Sequence, residues 1–219
     1  IFCYSPNIRF EPIELADTGK HLVEFVQLDL EVRDGTREDL IRLGENLVIH
    51  TLHYLKENCK KELEFFNRKL RVPNKPFKRI TYEEAYKKYA GNFETVLSQI
   101  HKEPFWIVDV PLEAREFYDR ESDERPGILV DMDLVWPEGF GEALSGGERE
   151  YQYERLVTRI KKQGLKVEDF TLYLQLARQG FCKSAGFGLG IERFTRYVCG
   201  AKRIEEVSLF PKTPGELGI

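Results

Sequence analysis

The sequence is short of cysteine. Its four, Cys3, Cys59, Cys182 and Cys199, are too scattered for a disulfide framework, and no CxxC pair or Cys/His cluster has metal-ligand spacing. A reducing, cytoplasmic setting is therefore expected. Methionine is almost absent, and because the chain opens on Ile1 with Met132 as its only methionine, the expectation is the C-terminal part of a longer protein. There is no apolar run of about 18 residues to cross a bilayer and no basic-then-apolar leader pattern, so no membrane association is expected. Nor is there an excess of one charge: 33 Lys+Arg against 37 Asp+Glu leave a net charge of -4, which offers no global basic footprint for a polyanion. Internal repeats and low-complexity segments are also missing. What is present is an ordinary globular balance, 42% hydrophobic, 12% aromatic and 32% charged, on a chain of 219 residues. A chain of that length buries roughly 70% of its unfolded surface without staples.

The segment Leu22 to Val32 alternates apolar and polar residues, the period of a strand with one buried face. Thr36, three positions before Asp39, predicts an N-capped helix running to about Phe65. Arg71 to Pro76, with two prolines, reads as a loop too short to separate domains. Tyr82 to Tyr89 predicts a short helix and Phe105 to Val110 a buried strand. Gly127 to Trp136 and Gly141 to Glu150 predict an antiparallel pair. Helices are expected over Tyr151–Gln163 and Glu168–Gln179, each followed by a capping glycine, and a last helix from about Ile191 to Gly200 leads to a final strand Glu206–Phe210. Strands and helices without strict alternation predict one α+β domain over residues 1–219, with an antiparallel sheet flanked by helices.

Three constellations carry chemistry. Gly186 to Arg193 (GFGLGIER) is a run of alternating glycines entering a helix. Such glycines let a ligand approach the backbone, and Arg193 beside them can fork onto a phosphate. The plainer reading is a sheet edge with glycine bulges and a surface ion pair. On the strand before residue 32, Phe25, Gln27 and Asp29 share one face, setting an aromatic plate, an amide and a carboxylate on a single surface. In the hairpin, Asp133, Glu142 and Ser145 form the hard-oxygen set that Mg²⁺ on phosphates prefers, and Arg149 can pair with a carboxylate. Arg149 can equally pair with Glu148, Glu150 or Glu154 on the surface.

Together, Arg9-Phe10-Glu11 with His21 to Asp29, and GFGLGIER followed by Ile204 to Gly215 (IEEVSLFPKTPG), resemble motifs two and three of the class II aminoacyl-tRNA synthetases, in their aspartyl and asparaginyl branch. The resemblance covers nearly the whole chain. It implies that Arg9 holds the α-phosphate of ATP, that Phe25 stacks on adenine against Arg193, and that Glu11 and His21 lie around the triphosphate. Glu142 and Ser145 match Mg²⁺ ligands, Asp133 an outer carboxylate, and Arg149 the arginine that grips a substrate carboxylate, with Gln27 and Asp29 on the α-amino group. Arg9 and Arg193 are thus the expected catalytic charges.

EFVQLD is similar to the aspartyl pattern, GFGEALSGGERE to the asparaginyl one, and Ser184 stands where a histidine is usual. This mixture is similar to the archaeal asparagine synthetases related to asparaginyl-tRNA synthetase, which lack the anticodon-binding domain. The implied function is an AMP-forming asparagine synthetase: aspartate and ATP give an aspartyl adenylate, and ammonia completes asparagine. A homodimer without a tRNA partner is expected, because motif one is missing from the numbered residues and the net charge does not favour tRNA. The alternatives are the catalytic domain of an aspartyl or asparaginyl-tRNA synthetase, or a non-catalytic paralogue.

Overall fold

A computed structural model describes residues 1–215. Its centre is a seven-stranded sheet in the order β1-β2-β7-β6-β5-β4-β3. The strands are β1 (Phe2–Ile8), β2 (Glu24–Arg33), β3 (Lys78–Thr81), β4 (Phe105–Val108), β5 (Asp131–Trp136), β6 (Gly141–Glu148) and β7 (Ser184–Gly190). Neighbours are antiparallel except β3 and β4, which run parallel, so the sheet is mixed rather than wholly antiparallel.

Alternation decides which face is closed. Leu28, Leu30 and Val32 of β2 pack with Trp106, Leu134, Leu144, Phe187 and Leu189 against α1 (Arg37–Asn58), which contributes Leu40, Ile41, Val48 and Leu52, all nearly or fully buried. Helix α7 (Ile191–Cys199) covers the same core, where Trp136 stacks on Tyr197 at 4.4 Å and on Phe194 at 5.2 Å. Phe105, Ile107 and Val135 belong to a second apolar cluster under α3 (Tyr82–Tyr89) and α4 (Phe93–Ile100). A third cluster joins α5 (Tyr153–Lys162) and α6 (Thr171–Gly180) through Phe117 and Leu156. What remains uncovered is the stretch of sheet where β2, β7 and β6 lie side by side.

The Thr36–Asp39 capping box forms as expected, with Thr36 Oγ1 accepting from the Asp39 backbone N–H at 3.3 Å. The helix it starts breaks at Cys59 and resumes as the short α2 (Lys60–Phe65). Gly164 (φ 72°) follows α5 as expected, whereas Gly180 (φ 101°) is the last residue of α6 itself, with Phe181 as its cap. The expected strand Glu206–Phe210 does not form: its first residues continue a 3₁₀ turn over Ile204–Val207, and Leu209 and Phe210 stay exposed, so their alternation buries nothing. β1 was not anticipated because Pro6 interrupts it; as an edge strand it can spare that N–H. Among the described residues no helix is long and apolar enough to cross a membrane.

Candidate active site

The glycine-rich run is no sheet edge but β7, at the heart of the sheet, and its register explains the glycines. Gly188 lies between Asp29 on β2 and Ser145 on β6, and Asp133 on β5 pairs with Ser145, so one rung carries Asp29, Ser145 and Asp133. The next rung carries Glu31, Gly186, Gly147 and Asp131. A Cβ on Gly188 would meet Asp29 Oδ1 and Gln27 Nε2, both at 2.7 Å, because those side chains lean across the strand. The sequence therefore builds a polar floor by leaving β7 bare.

Two cavities open on that floor. The first is lined by Arg9, Glu11, Lys20, His21, Phe25 and Arg193 among others, and the second, of about 380 Å³, by Asp29, Ser145, Arg149 and a loop ahead of β5. Arg9, Gln27, Glu142 and Gly188 line both, which joins them into one trough. The Arg9 guanidinium lies over the Phe25 ring, 5.3 Å from its centroid, and reaches Glu11 Oε1 at 3.5 Å. Arg193 Nη1 donates to Glu142 Oε1 at 2.6 Å. Both Glu192 carboxylate oxygens accept from the Val26 backbone N–H, at 3.0 and 3.1 Å, one residue beyond the last β2–β7 pair. Glu192 thereby pins the start of α7 to β2 and aims Arg193 at the trough, a role the sequence reading did not assign. His21 Nδ1 and Thr18 Oγ1 are 2.8 Å apart. Burial and then Arg193 hold the His21 imidazole below its usual pKa, so it is neutral near pH 7.

The expected residues converge, with two departures in their bonding. Asp133 is not a free outer carboxylate: it is bonded to Arg115, whose Nε also lies 3.4 Å from Asp131. Burial pushes the Asp133 carboxyl up despite Arg115, while Arg115 itself is raised because Asp133 and Asp131 outweigh its desolvation. Glu142 and Ser145 do face the trough, but among the described residues no group of three or more His, Cys, Asp or Glu gathers there to hold a metal ion. Arg149 is neither a free cation nor a partner of Glu148, Glu150 or Glu154. Its Nε donates to Glu31 Oε1 at 2.8 Å and its Nη1 to Asp119 Oδ1 at 3.3 Å.

Arg115, Tyr118, Asp119 and Glu31 were missed. The first three lie in an irregular segment after Pro111 with no periodicity to reveal them, and Glu31 was passed over although it continues the Phe25-Gln27-Asp29 face. Glu94 on α4 also lies near the trough, and its carboxyl is raised by burial and then by Glu142.

A mixed seven-stranded sheet with a bare central strand, an arginine on each side of a trough and an aromatic plate beneath one of them define a class II synthetase-like catalytic fold. The chain belongs to the tRNA synthetases class II (D, K and N), the family that matches residues 1–214. It is 35% identical to the asparagine–tRNA ligase of Bacillus cytotoxicus, over 98% of this chain and 51% of that protein, and 33% identical to that of Thermococcus kodakarensis, over 99% and 54%. The crystal structure of asparaginyl-tRNA synthetase from Pyrococcus horikoshii complexed with asparaginyl-adenylate superposes with a TM-score of 0.89 at 32% identity, over 100% of this chain and 53% of that one. The chain thus spans about half the length of the relatives it matches.

These likenesses overturn two expectations. An ammonia-dependent asparagine synthetase is replaced by relatives that are tRNA ligases along essentially the whole chain, and with it falls the exclusion of tRNA as a partner. Both errors have physical roots. Net charge sums the whole chain and says nothing of a local surface, and EFVQLD and GGERE lie on β2 and at the end of β6, strands of one sheet floor that short patterns alone do not tell apart.

Proposed function

We propose that this chain is the catalytic portion of an aminoacyl-tRNA ligase that activates asparagine or aspartate with ATP and passes the aminoacyl group to tRNA. The observation that carries the reading is the continuity of the two cavities, with Arg9, Gln27, Glu142 and Gly188 common to both. Nucleotide and amino acid then meet over Gly188, where the amino acid's carboxylate attacks the α-phosphate and pyrophosphate leaves. In this reading Phe25 carries the adenine and Gln27 and Asp29 take the α-amino group. Arg9 and Arg193 neutralise charge that builds on the phosphates, and no side chain forms a covalent bond. Glu142 and Ser145 are the oxygens that would hold Mg²⁺, which would supply further charge neutralisation on the phosphates. The relatives' names support transfer to tRNA.

ATP–pyrophosphate exchange with asparagine and with aspartate, followed by charging of tRNA, tests the proposal. Amino-acid-dependent exchange is the expected result, reduced by about 10²–10³ in Arg9→Ala and in Arg193→Ala. Exchange with neither amino acid, or full activity in both variants, would sink it.

A further inference from the structure

Asp119 is a buried carboxylate that no motif anticipates. It lies on the segment Tyr118–Arg120, which runs beside the end of β6: the Arg120 N–H donates to the Glu148 carbonyl at 2.9 Å and the Glu150 N–H to the Tyr118 carbonyl at 2.8 Å. Arg149 and Asp119 are a bridged backbone pair, so their side chains are held face to face rather than meeting by chance. Behind them, Arg159 of α5 is bonded to the Asp119 carbonyl, fixing the residue from the far side.

The consequence is a guanidinium bracketed before any ligand arrives. Glu31 takes Nε and Asp119 takes Nη1. The second cavity as a whole is lined by five carboxylates (Asp29, Glu116, Asp119, Asp131, Glu142) against three arginines (Arg9, Arg115, Arg149). A substrate side-chain carboxylate brings a third anion to one cation. An amide brings none: its carbonyl oxygen accepts from Arg149 and its NH₂ donates to a carboxylate.

We propose that Asp119 is a specificity-determining residue of the amino-acid cavity, whose negative charge beside Arg149 makes the pocket take the amide side chain of asparagine over the carboxylate of aspartate. The inference rests on the function proposed above and names the substrate of that same site. Asp119 is poised to vary its charge: burial pushes its carboxyl up to about 6 against the pull of Arg149 and Arg115. The ionisable groups facing it are Arg149, Arg115, Asp131, Glu116 and Tyr118, with Arg159 from α5 and Tyr173 from α6. Of these, Arg149 and Arg115 are the cations that keep it ionised above pH 6.

The test measures kcat/KM for asparagine and for aspartate by ATP–pyrophosphate exchange in the wild type, Asp119→Asn and Asp119→Ala. The wild type should prefer asparagine. Each variant should lower the asparagine-to-aspartate ratio by about tenfold or more, chiefly through KM, because the group meets the side chain and not the reacting atoms. In the wild type the ratio should climb as pH rises through about 6 and stay flat in Asp119→Asn, a response that a merely structural residue does not produce. The pH arm is read as the difference between wild type and folded Asp119→Asn, because His21 and Asp133 of the same trough are shifted as well. A wild type that prefers aspartate, a ratio unmoved in folded variants, or a wild-type ratio indifferent to pH each overturns the role of Asp119 while leaving amino-acid activation intact. Exchange with neither amino acid overturns the proposed function itself.

Discussion

Asp119 also shows what a polar site costs the fold. Its carboxyl titrates near 6 in the folded protein against 3.8 as its ordinary value, so the folded state binds the proton more tightly than the unfolded chain does. The resulting stabilisation is complete only well below the ordinary value of 3.8 and is lost as pH rises through 6. Asp119→Asn removes that loss, so its stability relative to wild type should improve by about 2 kcal/mol between pH 4 and pH 7.5, most of what two pKa units at 1.36 kcal/mol each represent. Denaturant unfolding at the two pH values measures it; an unchanged difference means that Asp119 keeps an ordinary pKa. Arg193 gives the opposite contrast. Its link to Glu142 is part-exposed, with side chains 29% and 36% accessible, so the pair adds little to stability. Arg193→Ala should melt within a few degrees of wild type while losing most of its exchange activity, and a collapse in Tm would make the residue structural.

At the scale of elements, β7 and β2 explain each other. The period of β2 was legible because Leu28, Leu30 and Val32 must face α1, which sends Phe25, Gln27, Asp29 and Glu31 the other way. The glycines of β7 were legible as a motif but not as a central strand, since a bare strand has little hydrophobic period and its neighbours come from residues more than 35 positions away in sequence. β3, which pairs in parallel with the expected strand β4, and α4 escaped for a related reason: short elements owe their form to tertiary packing more than to propensity.

The same geometry separates two glycine substitutions. At Gly188 a methyl group meets only the ends of Asp29 and Gln27, which can swing aside, so Gly188→Ala should fold and raise the amino-acid KM. At Gly186 it meets the Leu30 carbonyl oxygen at 2.3 Å as well as Glu31, and backbone cannot yield so cheaply. Gly186→Ala should cost about 1–3 kcal/mol or more in unfolding free energy. Equal melting temperatures for the two variants would mean that the β2–β7 spacing is slack.

For the whole molecule, the sheet acts as a bench with helices bolted beneath and one polar stretch left open. Motif residues were legible because Arg9, Phe25, Glu142 and Arg193 keep fixed places on that bench. Arg115 and Asp119 were not, because an irregular loop brings them in across the fold. A site assembled from so many elements couples ligand to global stability. Since Arg9, Gln27, Glu142 and Gly188 serve both cavities, a molecule that fills the two at once loses overall freedom only once and engages both sets of contacts. A non-hydrolysable asparaginyl-adenylate analogue should therefore bind much more tightly than asparagine or AMP separately. At a thousandfold excess over its Kd, a ligand adds about 4 kcal/mol to the folded state. In a domain of this size each kcal/mol moves Tm by roughly 2–4 °C, which predicts a rise of about 8–16 °C. Asparagine and AMP added together at the same concentrations should raise Tm by clearly less, because two separate molecules must each give up their freedom. Differential scanning calorimetry with the three ligand conditions decides it. If the linked analogue does no better than the mixture, the two cavities are independent and the trough is not one site.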